Sequence, residues 1–257
     1  MDWQEISGHW VYLPRQPRAV LHFLGGAFVA AAPHLTYRLL LEALGKQGYA
    51  IVATPFINTF DHRAIASDVY NRFEDTLELL QSRRYLPADL PVYGVGHSMG
   101  CKLHLLIGSI YDVDRAGNIL ISFNNFSARD AVPLMGQMPT EFNVEFTPNP
   151  QETLETIAAY YDVPDNLIVK FTNDTLDQSY TLGQTLTKIF PSTTATLNIN
   201  GSHVTPLGQD FQWQFNPQVF TPFDAIGQWI KQEVHRDLHQ LKSEMLRWLD
   251  PVAVSGG

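Results

Sequence analysis

A chain of 257 residues, 45 % of them hydrophobic, is long enough to bury one full α/β core, so a single domain over 1–257 is the expectation. The formal charge of −9, with no compensating basic patch, excludes nucleic acid and anionic membrane surfaces as partners. The one cysteine, Cys101, excludes an internal disulfide and a cysteine-rich metal cluster and fits a reducing compartment.

No apolar run is long enough for an integral membrane segment, and Met1-Asp2-Trp3-Gln4-Glu5 lacks the basic start of a signal peptide, so a soluble cytoplasmic protein is expected. Trp10 to Leu13 and Ala19 to Leu24 read as strands joined at Pro14-Arg15-Gln16-Pro17, the second continuous enough to lie inside a sheet. Gly25-Gly26-Ala27-Phe28 follows. After Pro33, Leu35, Leu39 and Ala43 recur at helical spacing until Gly45 and Gly48, and Tyr49 to Phe56 reads as a buried strand. Asp61 to Arg84 is a long amphipathic helix with Ile65, Val69, Phe73, Leu77 and Leu80 on one face.

Pro91 to Val95 is a short apolar strand, Cys101 to Tyr111 a helix, and between them stands Gly96-His97-Ser98-Met99-Gly100. Glycine two residues either side of a serine, between strand and helix, is the pattern of a nucleophile elbow: the backbone turns sharply, lifts the hydroxyl out of the strand and sets it at a helix N-terminus. A dinucleotide-binding fingerprint starting at Gly94 fails on spacing, because its third glycine would fall at Met99.

Asn118 to Phe123, Leu167 to Phe171 and Ala195 to Ile199 are further strands, with a helix from Gln178 to Phe190. Apolar strands alternating with helices imply an α/β fold with a mostly parallel, doubly wound sheet covered on both faces, whose ligands sit beyond the strands' carboxyl ends. The alternation breaks over about 124–166, where five prolines accompany Leu134, Met135, Met138, Phe142 and Phe146. Such a connection is a cap-like insertion contacting an apolar substrate, or else ordinary core packed on the sheet. The pattern from Phe223 to Leu249 exceeds a normal closing helix, and its outer end is either a homo-oligomer contact or a solvated overhang.

A serine needs a base to take its proton, and the base needs an acid to hold its tautomer. In a sheet of this kind these follow in the order serine, acid, histidine. His203, in the loop directly after the last strand, is the best placed of nine histidines. Asp174 leaves the preceding strand directly and is the first choice of acid; Asp177, three residues on, is the alternative and also suits a helix cap. An oxyanion formed at Ser98 requires two N–H donors, one from Met99 and one from Ala27 or, second, Phe28. Gly26, His97, Leu134, Met135 and Met138 complete the candidate substrate-binding set, His97 being more a packing or positioning group than the base. His235 and His239 share a helix face, but Arg236 stands where a zinc protease carries glutamate; no metal is expected. Cys101 reads as a small buried helix residue, and His22 and His104 as interior or rim histidines.

With Gly96-His97-Ser98-Met99-Gly100, Asp174 and His203 in order, the chain resembles an α/β-hydrolase over nearly its whole length. His22-Phe23-Leu24-Gly25-Gly26-Ala27-Phe28, Ala53-Thr54-Pro55-Phe56 and Gly201-Ser202-His203-Val204-Thr205-Pro206 are similar to a branch found in cyanobacteria and plastids. The resemblance implies esterase, lipase or thioesterase chemistry on a small ester or acyl substrate, without cofactor, and a stromal location if the source is a plastid. A non-catalytic scaffold holding an apolar small molecule on the same fold is the competing expectation. Two positions depart from the family pattern: Gly25-Gly26 replaces the usual His-Gly, and Phe171 stands where a glycine commonly precedes the acid by three residues.

Overall fold

The computed structural model describes residues 2–131, 144–208 and 234–250. Among these, eight strands form one sheet in the order β1-β2-β4-β3-β5-β6-β7-β8: β1 Gln4–Ile6, β2 His9–Tyr12, β3 Ala19–Leu24, β4 Tyr49–Ala53, β5 Val92–His97, β6 Gly117–Ile121, β7 Asn166–Phe171 and β8 Thr194–Ile199. β1 and β2 run antiparallel at one edge, and every pairing from β4 through β8 is parallel. The two N-terminal strands joined by the proline turn are therefore not neighbours: β2 pairs with β4, while β3 lies between β4 and β5. The chain first adds β4 on one side of β3 and then β5 on the other. That reversal opens a crevice at the strand ends where β3 and β5 lie side by side.

The helices are α1 Pro33–Thr36, α2 Arg38–Lys46, α3 His62–Ser82, α4 Met99–Ile110, α5 Ala128–Ala131, α6 Pro150–Tyr160, α7 Ser179–Ile189 and α8 Val234–Leu249. Alternate strand residues face opposite layers. Leu21, Phe23, Ile51 and Val95 point to α2 and α8, which cover them with Leu40, Leu41, Leu44, Leu238, Leu241 and Met245. On the other face α3 supplies Ile65, Val69, Phe73 and Leu80 to the buried core as its spacing required, with Asp61 capping the Ala64 N–H.

Several sequence expectations need correcting. The Leu35, Leu39, Ala43 stripe is not the buried one: the helix breaks at Tyr37 into α1 and α2, leaving Leu35 63 % exposed, and the buried face is Leu40, Leu41 and Leu44. β8 is an edge strand with half its residues exposed, where continuous burial was expected. The 124–166 connection contains a true crossover helix, since Ile157 of α6 packs with Tyr161, Val163 and Cys101 in the core. The described part of α8 closes the fold, because Leu238, Leu241, Met245 and Leu249 are buried in this chain's own core; Ile226 and Ile230 lie outside the described residues.

Candidate active site

Ser98 sits between the end of β5 and the start of α4 with φ 55° and ψ −118°, a conformation side chains of L-residues rarely adopt. Both flanking glycines have steric causes. A Cβ on Gly96 would lie 2.6 Å from the Cys101 nitrogen, and one on Gly100 would lie 2.0 Å from the Leu24 carbonyl oxygen. The turn is thus held by strand β3 on one side and by its own helix on the other.

His203 Nε2 lies 3.0 Å from Ser98 Oγ, and His203 Nδ1 lies 2.9 Å from Asp174 Oδ2. The loops carrying Asp174 and His203 are joined directly, Asn173 N–H donating to the Gly201 carbonyl at 3.0 Å. Burial would raise the Asp174 carboxyl, but the His203 hydrogen bond and charge, with the Leu176 N–H at 2.9 Å, hold it below the ordinary value. Asp177 does not face the histidine. Its carboxylate accepts from the Ser179 N–H at 3.0 Å at the start of α7 and pairs with Lys170 at 3.4 Å. Of the two carboxylates, Asp174 meets the imidazole and Asp177 accepts the N–H of the first residue of α7.

His97, the residue before the serine, uses both ring nitrogens inside the protein. Gly26 N–H donates to Tyr37 Oη at 2.8 Å, Tyr37 Oη lies 2.7 Å from His97 Nδ1, and His97 Nε2 lies 2.9 Å from the His203 carbonyl oxygen. Only one proton arrangement satisfies every link. The phenol accepts from Gly26 and donates to Nδ1, so Nε2 carries the hydrogen given to the His203 carbonyl. Burial, then the neighbouring His203, pushes His97 down to about 3, and the ring is neutral at ordinary pH. This relay ties the loop after β3 to the loop after β8 across the serine. Gly26 gives its N–H to Tyr37, and His97 serves position rather than solvent-facing contact.

Ala27, Phe28, Ser98 and Met99 border one cavity, which continues past His62, Lys102, Asn58 and Asn125 to Phe126, Phe146 and Leu176. Lys102 is one helical turn beyond Ser98 and so shares its face; it is only 1 % exposed. Its Nζ donates to the Pro148 carbonyl at 3.0 Å, and burial brings it down to about 7 despite Glu145 and Glu152. Leu134, Met135 and Met138 lie outside the described residues. Tyr37, Lys102, His62 and Asn125 were not found from sequence: each is far along the chain from any motif or looks like an ordinary helix or loop residue, and only their shared position reveals them.

Cys101 is buried, its thiol donating to the Gly96 and Ile121 carbonyls at 3.2 Å each, and burial raises it well above the ordinary thiol value. His22 and His104 each accept through Nδ1 from the buried Arg115 at 2.9 Å, as interior groups. His239 is exposed.

A family described as Protein of unknown function (DUF1350) matches residues 2–251. The chain belongs to that family. No curated protein matches this DUF1350 member. Among solved structures, it is similar to a soluble variant of monoglyceride lipase from Saccharomyces cerevisiae in complex with a substrate analogue, at 12 % identity and TM-score 0.60, covering 97 % of this chain and 94 % of that one. It also resembles TT1662 from Thermus thermophilus, at 18 % identity and TM-score 0.54, covering 80 % and 91 %. A third similar structure is the fluorophosphonate-binding serine hydrolase F of Staphylococcus aureus, substrate bound, at 15 % identity and TM-score 0.54, covering 79 % and 90 %. The DUF1350 chain has the α/β-hydrolase fold. None of its described helices is long and apolar enough to cross a membrane.

Proposed function

We propose that this DUF1350 protein is a serine hydrolase that cleaves a carboxylic ester or thioester through an acyl-enzyme on Ser98. The observation that carries the reading is the hydrogen-bonded series Ser98 Oγ, His203 Nε2, His203 Nδ1, Asp174 Oδ2, with links of 3.0 and 2.9 Å, built on a strained elbow. Proteins of similar structure, a lipase, a serine hydrolase and a carboxyl esterase from Tuber melanosporum among them, support it.

In this mechanism Ser98 Oγ attacks the carbonyl carbon while its proton passes to His203 Nε2. Asp174 keeps the imidazole in the tautomer with hydrogen on Nδ1 and stabilises the cation formed. The carbonyl oxygen gains the negative charge and receives N–H groups from Met99 and from Ala27 or Phe28, the two loop residues bordering the cavity beside Ser98. The carbonyl re-forms, the alcohol or thiol leaves with the proton from Nε2, and water deprotonated by His203 then hydrolyses the acyl-enzyme. The chain acts as one hydrolase domain, and Phe126, Ala131 and Phe146 from the 124–166 connection supply the far wall of the cavity.

The test is labelling with a fluorophosphonate probe, followed by turnover of nitrophenyl esters of increasing acyl length, on wild type and Ser98→Ala. Labelling and turnover of the wild type alone are expected. Equal behaviour of both proteins rejects the enzyme and favours a scaffold.

A further inference from the structure

Residues lining this cavity carry buried polar atoms that have no partner among the described residues. His62, at the start of α3, is 4 % exposed and stacks on Phe146 with ring centroids 4.2 Å apart; among the described residues neither of its nitrogens has a partner. Asn125, following β6, is 6 % exposed and its orientation is fixed: its Nδ2 donates to the Pro150 carbonyl at 2.9 Å, while among the described residues Oδ1 has no partner. Asn58 Oδ1, in the loop after β4, is likewise buried and without a partner among the described residues. Among the described residues Lys102 Nζ makes one hydrogen bond, to Pro148, and as amine or ammonium it keeps at least one further hydrogen to give. These residues follow the carboxyl ends of β4, β5 and β6 and border the cavity that contains Ser98. Buried polar groups in folded proteins are satisfied, so a cluster of unpaired ones in a cavity marks where a ligand supplies the partners.

The charges discriminate between ligand classes. Glu145 and Glu152 lie close enough to act on Lys102, and Asp130 lines the cavity, so among the described residues carboxylates oppose an anionic group there. Two amide oxygens can only accept, the Lys102 nitrogen donates, and a neutral imidazole does one of each. A hydroxyl both donates and accepts, and several together match this mixture. We propose that the cavity binds a neutral, hydroxyl-bearing portion of the ester, with His62, Lys102, Asn58 and Asn125 as its specificity residues. The proposal rests on the serine-hydrolase reading. The hydroxyls would belong to either the alcohol or the acyl side of the ester.

The experiment begins with fluorophosphonate labelling of Ser98, which tests the hydrolase reading by itself; absence of labelling overturns both. With labelling established, kcat/KM is measured for glyceryl butyrate against propyl butyrate and for ethyl 3-hydroxybutyrate against ethyl butyrate, each pair differing in hydroxyls on one side of the ester. One pair should favour the hydroxylated member by about tenfold or more, because a site built to hydrogen-bond a hydroxyl penalises its absence. His62→Phe keeps the ring stacked on Phe146 but removes both nitrogens, and should bring that ratio close to unity. Asn58→Leu, on a half-exposed loop, gives an independent arm if His62→Phe does not fold and should lower the same ratio. Labelling with neither pair discriminated, or a preference untouched in the folded variants, overturns the proposal and leaves the hydrolase reading standing.

Discussion

At the scale of single residues, small displacements separate the groups that face the serine from those that only resemble them. Asp174 and Asp177 are three positions apart, yet one meets His203 and the other caps α7. Asp174→Asn should therefore lower kcat by ~10³–10⁴ through loss of the imidazole tautomer, while Asp177→Asn retains turnover of the same order, both read from steady-state ester hydrolysis. Tyr37→Phe removes the hydroxyl that accepts from Gly26 and donates to His97. Leaving those buried groups unpaired should cost about 1–3 kcal/mol in urea unfolding. With the two loops no longer tied, kcat should fall more than KM rises. The two departures from the usual hydrolase pattern have local causes of the same kind. Gly25 stands where a Cβ would come within 2.8 Å of the Tyr37 ring, and a Cβ on Gly201, whose φ is 137°, would come within 2.7 Å of Phe171. In each case a glycine makes room for an aromatic ring brought from elsewhere in the chain.

At the scale of elements, the elbow is a packing product as much as a turn. Leu24 pairs with Gly96 in the β3–β5 register, which sets the Leu24 carbonyl against Gly100. Gly100→Ala is expected to prevent native packing of this turn, seen as lost near-UV circular dichroism and lost fluorophosphonate labelling, because a contact of 2.0 Å with a strand backbone has no flexible side chain to yield. α8 is held by apolar burial: Leu241 is fully buried against the sheet, so Leu241→Ala should lower unfolding free energy by about 2–5 kcal/mol. β5 shows a related economy of space. Gly94 lies beneath Asn118, Arg115 and His104, where a Cβ would come within 2.1 Å of the Asn118 side chain, so the bare strand position is what admits the buried Arg115.

At the scale of the whole molecule, buried neutral histidines dominate the response to pH. Burial, then Arg72, lowers His9 to about 4; burial, then Lys102, lowers His62 to about 3; His97 is also near 3, and His22 and His104 are held well below the ordinary value by burial and then Arg115. The unfolded chain would protonate all of them near 6.5, so the unfolded state binds more protons between that value and the folded ones. Their contribution to stability is full above about pH 6.5 and is lost as pH falls toward 3–4. Thermal melts should show Tm dropping steadily from pH 7 to pH 4, and a His9→Gln variant that folds should show a shallower slope.

The local pattern of the chain determined the parallel α/β architecture, the long α3 face, the strand-turn-helix around Ser98 and the placing of Asp174 and His203 in the loops after β7 and β8, because strand burial, helical spacing and glycine geometry all act over a few residues. Tertiary structure set Asp174 against His203 and Asp177 against Ser179, broke the helix at Tyr37, paired β2 with β4, and joined Gly26, Tyr37, His97 and His203 into one relay. It also brought His62, Lys102 and Asn125 to one cavity from separate elements. Those outcomes depend on which side chains meet across the sheet's crevice, and such meetings follow from packing between segments tens of residues apart, which no local spacing encodes.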